Sequence, residues 1–333
     1  LGVSAYLMVL RELAATGRCG EAIEVLGMLV EDVDGDHIPE RAFGMVLNTC
    51  ADSHHMDRAP EVLALMATAG VPRTEVTYCI LIKGYGRLGS DQAVDHLLAD
   101  MRKHGVKLDV ITLNAAMDAY VRCGNLGKAT SLLDAMKREA RRLHAQGKAL
   151  QGSLAPVSRS FNTLIKGLGQ AGHLEGALGL LDEMRDLAYA TQAQCLPNDV
   201  TLNSLLDAHV RAKNVSGALL LMREYEDLVS IEGYTSLITA LASAGQLGSA
   251  QTMLRRMERN GITPNRITYT AIISGCISTG NLQEARRFFG MMRTSEDRRL
   301  LPNAVTYNAM IRGEFVHGSG SQAKALLTEM RGQ

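Results

Sequence analysis

The sequence predicts an all-α protein whose architecture is an α-solenoid, a superhelix of stacked helix-turn-helix repeats. Three observations predict it. A plan of helix, glycine, helix and turn recurs nine times over the 333 residues, counting a truncated copy at each end. The glycine stands at Gly17, Gly89, Gly124, Gly172, Gly245, Gly280 and Gly318, with His54 and Lys213 at the two exceptions, and successive spacings run 37, 35, 35, 48, 41, 32, 35 and 38. Five residues later comes Ala22, Ala59, Ala129, Ala177, Ala218, Ala250, Ala285 or Ala323, with Val94 the exception; seven further on stands Met66, Met101, Met136, Met184, Met257, Met292 or Met330. One apolar stripe can arise by chance, but three residue types locked in phase through nine units cannot. A single helix pair cannot bury its own apolar face, so successive pairs must stack. The first helices then line an extended surface instead of a pocket.

Each element follows from local chemistry, shown best by residues 231–265. Tyr234, Leu237, Ile238 and Leu241 fall at i, i+3, i+4 and i+7, one face of a helix. Gly245 stops it, because a residue without a Cβ enters the left-handed region freely. Leu247, Ala250, Leu254 and Met257 make a second stripe, closed by Asn260-Gly261 and Pro264.

In chain order the units span 3–39, 40–74, 75–109, 110–157, 158–198, 199–230, 231–265, 266–303 and 304–333, one array over 1–333. The first carries Tyr6, Val9, Leu10 and Leu13, and its turn holds Glu31, Asp32, Asp34 and Asp36. A calcium loop would need glycine at its sixth position and glutamate at its twelfth, where His37 and Phe43 stand, so a solvated acidic turn is expected. The second unit has His54-His55 in place of the glycine, read as exposed turn histidines. In the third, Gly84 to Gly89 matches G-x-G-x-x-G, as does Gly167 to Gly172 in the fifth. No strand precedes either match, so the reading is two glycines that loosen a helix end and a third that caps it. The fourth unit is stretched, lengthening its second helix through Lys137, Arg138, Arg141, Arg142 and His144 before the loop Gln151-Gly152-Ser153. That basic run is read as a solvated extension. The fifth has extra residues around Ala188 to Gln194, and the sixth lacks about three. The chain starts and ends inside helices, so both ends are expected to continue beyond it.

Composition narrows the function. Thirty-five basic and thirty-five acidic residues give zero net charge, which removes a strongly positive field as an argument for nucleic acid, so any such contact must be local. Six dispersed cysteines without a C-x-x-C pair speak against a disulfide framework or zinc site and for a reducing compartment. Residues 233–254 carry no charge, but the repeat explains them as a helix pair and no membrane insertion is expected. No cofactor is implied. The zinc-deaminase signature is absent, as is any acidic cluster placed for metal-dependent hydrolysis, so catalysis is not expected.

Val76-Thr77-Tyr78, Ile267-Thr268-Tyr269-Thr270 and Val305-Thr306-Tyr307-Asn308 open helices, while Thr263-Pro264-Asn265 and Leu301-Pro302-Asn303 close units. In these marks, and in its 35-residue period, the whole chain resembles the pentatricopeptide repeat proteins, as a P-type-like array. Tetratricopeptide repeats run to 34 residues with a Trp-x-x-Leu-Gly signature, and this chain has no Trp. The resemblance implies binding of single-stranded RNA in an organelle, chloroplast or mitochondrion, one nucleotide per repeat. It assigns base choice to the fifth and last residues of each unit. Here these are Gly44 with Thr74, Cys79 with Asp109, Asn114 with Val157, Asn162 with Asn198, Asn203 with Ser230, Thr235 with Asn265, and Thr270 with Asn303; Asn308 starts the next pair. By the family pattern Thr with Asn favours adenine and Asn with Asn a pyrimidine. The second residue packs against the base: Val76, Ile111, Val200, Ile267 and Val305 suit this, and Arg159 can stack through its guanidinium plane. Arg41 and Glu232 depart from the pattern. Asn and Thr beside a helix start also cap it, which by itself would produce much of this pattern. Arg87, Arg122 and Arg211 share one register and are candidates for phosphate contact. The competing expectation is a scaffold whose faces bind protein subunits of a larger organellar assembly such as a ribosome or polymerase.

Overall fold

The computed structural model describes residues 2–32, 38–150 and 152–332. Asp34, Asp36, His37 and Gln151, which the acidic-turn and loop readings touch, lie outside them. The described residues form eighteen α-helices, in pairs: α1 (Val3–Ala15) and α2 (Cys19–Asp32), α3 (Glu40–Asp52) and α4 (Ala59–Thr68), α5 (Glu75–Arg87) and α6 (Asp91–Lys103), α7 (Val110–Arg122) and α8 (Leu126–Ala145), α9 (Ser158–Gln170) and α10 (Leu174–Thr191), α11 (Asp199–Arg211) and α12 (Val215–Glu224), α13 (Ile231–Ser243) and α14 (Leu247–Arg259), α15 (Arg266–Ser278) and α16 (Leu282–Arg293), α17 (Ala304–His317) and α18 (Gly320–Gly332). Single 3-10 turns at Met56–Arg58 and Glu226–Leu228 complete the described elements. The fold is an all-α solenoid. It divides into two compact units, one of Leu1–Gly167 with Leu180–Leu196, the other of Leu168–Gly179 with Pro197–Gln333. Within the first, α1, α3, α5 and α7 pack in succession; within the second, α11, α13, α15 and α17 do.

The phased residues build the core. Ala22, Ala59, Val94, Ala129, Ala177, Ala218, Ala250 and Ala285 are fully enclosed, and so are Met101, Met184 and Met257. Small side chains let the paired helices approach, and the pliant thioethers fill the irregular space beyond. Fully buried aromatics carry their polar ends to the second helix: Tyr78 donates to Asp100 at 2.9 Å and Tyr307 to Glu329 at 2.8 Å.

The turn position behaves as one conformation whatever residue fills it. Gly17, Gly89, Gly124, Gly172, Gly245 and Gly280 have φ between 70° and 81°, and the two exceptions join them, His54 at 61° and Lys213 at 55°. A bond from Ser90 N–H to the Tyr85 carbonyl, at 3.1 Å, shows what the turn achieves, closing carbonyls that the helix end leaves open. Gly318 is different, at φ −122°. His54 and His55 are both exposed, as the sequence suggested.

The paired glycines before the turn are a correction. They do not loosen α5 and α9 but let neighbouring helices touch. A Cβ on Gly84 would come within 2.4 Å of Met56 Sδ, and one on Gly86 within 2.8 Å of the Ala119 Cα. The same register recurs, the tenth residue of one first helix meeting the twelfth of the preceding one: Gly167 on Val121, Gly275 on Ala242, Gly313 on Ile277.

The irregular units are absorbed by helix length. α8 runs 20 residues and α10 runs 18. Two cations of the basic run on α8 are neutralised: Lys137 is buried between Asp134 and Glu183, at 2.6 and 2.5 Å, and Arg142 pairs with Glu139. The short sixth unit ends α12 after 10 residues and closes with the 3-10 turn. There Glu226 takes Arg256 at 2.7 Å and Asn260 at 2.9 Å. No described helix is long and apolar enough to cross a membrane.

Candidate nucleic-acid interface

The second residue of the first helices is exposed and aliphatic. Val76, Ile111, Val200, Ile267 and Val305 are 59, 66, 51, 65 and 64% exposed, and Arg159 is exposed in the same register. Branched aliphatics repeated at one place without a covering side chain lose the benefit of burial at every repeat, which is the mark of a surface waiting for a partner.

Between these side chains lie clefts floored by polar pairs. In the second compact unit, one of about 890 Å³ is lined by Glu232, Thr235, Asn265 and Ile267, and one of about 530 Å³ by Ile267, Thr270, Asn303 and Val305. In the first, a cleft of about 280 Å³ is lined by Ile111, Asn114 and Arg159 with Lys83, Arg87 and Arg122.

The floor is tied to the helix caps. Asn265 caps α15: its Oδ1 accepts the Thr268 N–H at 2.9 Å and the Thr268 hydroxyl at 3.0 Å, and that hydroxyl also meets Thr235 Oγ1 at 2.8 Å. Asn303 repeats the arrangement on α17 with Thr306, which meets Thr270 Oγ1 at 2.9 Å. Asn198 caps α11 through Thr201. Capping therefore fixes which atom faces outward. An asparagine whose oxygen serves the helix turns its Nδ2 donors to the cleft, whereas Asp109, accepting the Thr112 N–H at 2.7 Å, has only a carboxylate oxygen to offer. Helix capping by Asn265 and Asn303 therefore does not exclude a further contact through the amide nitrogen in the cleft each lines.

The remaining pairs differ among themselves. Asn114 and Asn162 are each 7% exposed and Cys79 is 8%. The Asn114 Oδ1 is buried without a hydrogen-bond partner among the described residues. Gly44 offers no side chain, and Ile80 Cδ1 lies 3.6 Å from where its Cβ would stand. Its partner Thr74 donates to the Glu40 carboxylate, which also takes the Thr77 hydroxyl at 3.0 Å. Asn203 and Ser230 bond each other at 3.0 Å, and Ser230 donates to Glu232 at 2.5 Å. Asn308 is exposed.

The three arginines of common register are ion-paired: Arg87 with Asp52, Arg122 with Asp118 at 2.7 Å and Arg211 with Asp207 at 2.7 Å. Lys83 and Arg159, exposed in the cleft of the first unit, have no ion pair among the described residues. Thr268 and Thr306 link the two members of their pairs, and the equivalent Thr77, Thr112 and Thr201 are likewise buried, the Thr112 hydroxyl without a partner among the described residues; none of the five has a site role in the sequence reading, and their signal is the recurrent third-position Thr of the helix-opening triplets.

Sequence models of the pentatricopeptide repeat match residues 76–106, 200–228 and 305–333, a further repeat model matches 153–185, and a pentatricopeptide repeat domain model matches 96–140, 226–277 and 267–314. The chain belongs to the pentatricopeptide repeat family. Two relatives from Arabidopsis thaliana illustrate the likeness. One, a pentatricopeptide repeat-containing protein named as chloroplastic, is 25% identical over 272 residues, 81% of this chain and 28% of its own length. A second pentatricopeptide repeat-containing protein is 30% identical over 209 residues, 61% of this chain and 33% of its own. The chain thus spans about a third of the curated relatives it matches. The crystal structure of the pentatricopeptide repeat protein PPR10 from maize superposes on it with a TM-score of 0.66 at 27% identity, covering all of this chain and 45% of that one. The capped, glycine-packed helix pairs are therefore the pentatricopeptide repeat in this chain.

Proposed function

We propose that this pentatricopeptide repeat array binds single-stranded RNA, one nucleotide per repeat, without catalysing a reaction. Occupying a transcript in an organelle, it would protect it, guide its processing or aid its translation. The observation that carries this reading is the alternation of exposed aliphatic second residues with clefts floored by capped polar pairs. An aliphatic wall on each side suits the face of a base, and the floor suits its Watson-Crick edge. At Thr235 with Asn265 and Thr270 with Asn303, the amide donors match the adenine ring nitrogen and a threonine oxygen can accept from its amino group. The chloroplastic name of one relative supports the organellar setting.

The test is selection from a random single-stranded RNA pool, followed by the double variant Thr235→Asn and Thr270→Asn. Enrichment of a motif whose adjacent adenines turn to pyrimidines in the variant is the expected result; no enrichment above a salt-sensitive background overturns it. The pairing of Arg87, Arg122 and Arg211 with aspartates favours a second reading, a scaffold binding protein subunits, which that negative outcome would bring forward.

A further inference from the structure

Residue 232 stands where α13 should present its aliphatic second residue. In the same compact unit α11 offers Val200, α15 Ile267 and α17 Val305, each more than half exposed, whereas α13 offers a glutamate. Glu232 lines the cleft over Thr235 and Asn265, and its carboxylate is bonded back to Ser230, the last residue of the sixth unit. Ser230 donates its one hydroxyl proton to Glu232 Oε2 at 2.5 Å, and its oxygen accepts the Glu232 N–H at 3.2 Å and the Asn203 Nδ2 donor at 3.0 Å. The two polar groups that would meet a base at the sixth unit are thus bonded to each other and to Glu232. The Ser230 hydroxyl, with the backbone N–H next, lowers the Glu232 pKa, so the carboxylate is ionised at neutral pH.

We propose that Glu232 closes the sixth unit, so that this repeat holds no base and the RNA-contacting surface is interrupted between Val200 and Ile267. The proposal rests on the RNA-binding reading above. A carboxylate in place of a branched aliphatic side chain cannot pack on a base without losing its water, and it repels the phosphates on either side. The seventh and eighth units keep open floors at Thr235 with Asn265 and Thr270 with Asn303. Bases therefore engage there and not at the sixth.

The experiment is selection from a random RNA pool with the wild-type chain, Glu232→Val and Glu232→Gln, using Thr270→Asn to mark the nucleotide at the eighth unit. The wild type is expected to show no base preference two nucleotides away from that mark, on the side of the sixth unit. Glu232→Val, which restores the residue type of Val200 and Val305, should gain a preference there and bind about tenfold tighter. Glu232→Gln keeps an acceptor for Ser230 and should stay unselective. A wild-type preference at that nucleotide as strong as at the eighth unit overturns the proposal, as does an unchanged profile in Glu232→Val. Equal gains by Gln and Val overturn closure through this hydrogen bond. A wild type that selects nothing, with Thr270→Asn silent, removes the RNA reading and this proposal with it.

Discussion

His54 and Lys213 hold a left-handed backbone that L-residues enter at a cost of roughly 1–2 kcal/mol. They keep it because each stops one helix and starts the next, and the surrounding packing determines the path. Glycine at either place should relieve most of that strain while giving back part of it in unfolded-state entropy. His54→Gly and Lys213→Gly are each expected to stabilise the fold by about 0.5–1 kcal/mol, read as a higher urea midpoint at unchanged slope. The same substitution at Ala69, a helix end that is right-handed, should destabilise or be neutral.

Among elements, the sixth unit shows how a shortened turn is stabilised. Its second helix ends early, and Glu226 in the following 3-10 turn reaches forward to Arg256 on α14 and to Asn260 at that helix's C-cap. Arg256 chiefly, and Asn260 after it, hold the Glu226 carboxyl at about 2, against an ordinary 4.5. A carboxyl depressed in the folded state binds its proton later than in the unfolded chain. Its stabilising effect is therefore present above about pH 4.5 and is lost as pH falls towards 2. Glu226→Gln should lower the melting temperature at neutral pH and flatten the fall in stability over that acid window, measured by thermal melts across pH.

For the whole chain, zero net charge and paired arginines make any hold on RNA depend on few cations. Lys83 and Arg159 are the unpaired pair in the cleft of the first compact unit. Replacing both with alanine should weaken RNA binding evenly across sequences. The slope of log affinity against log salt should fall by about 1.4, since each phosphate contact on a single strand contributes roughly 0.7. An unchanged slope would move the phosphate contacts elsewhere.

The sequence by itself determined the repeat, the all-α solenoid and the family, because stacking helix pairs needs the same small, apolar and turn-forming residues at the same places each time. Ala250 and Met257 are legible as core since their spacing leaves them no other face. The family resemblance also marked the second positions Val76, Ile267 and Val305, which the structure leaves exposed. The tertiary structure alone decided what each place can do. Gly84 and Gly86 read as helix looseners and serve as contact points, because the atoms they admit, Met56 and Ala119, come from the neighbouring repeats. Arg87 reads as a candidate phosphate contact and is paired with Asp52, 35 residues away. Asn203 and Asn114 look alike in the chain, yet Asn203 is bound to Ser230 across 27 residues while the Asn114 Oδ1 has no partner among the described residues. Periodicity records which face a residue takes, while hydrogen bonding and close approach depend on groups that neighbouring repeats bring into reach.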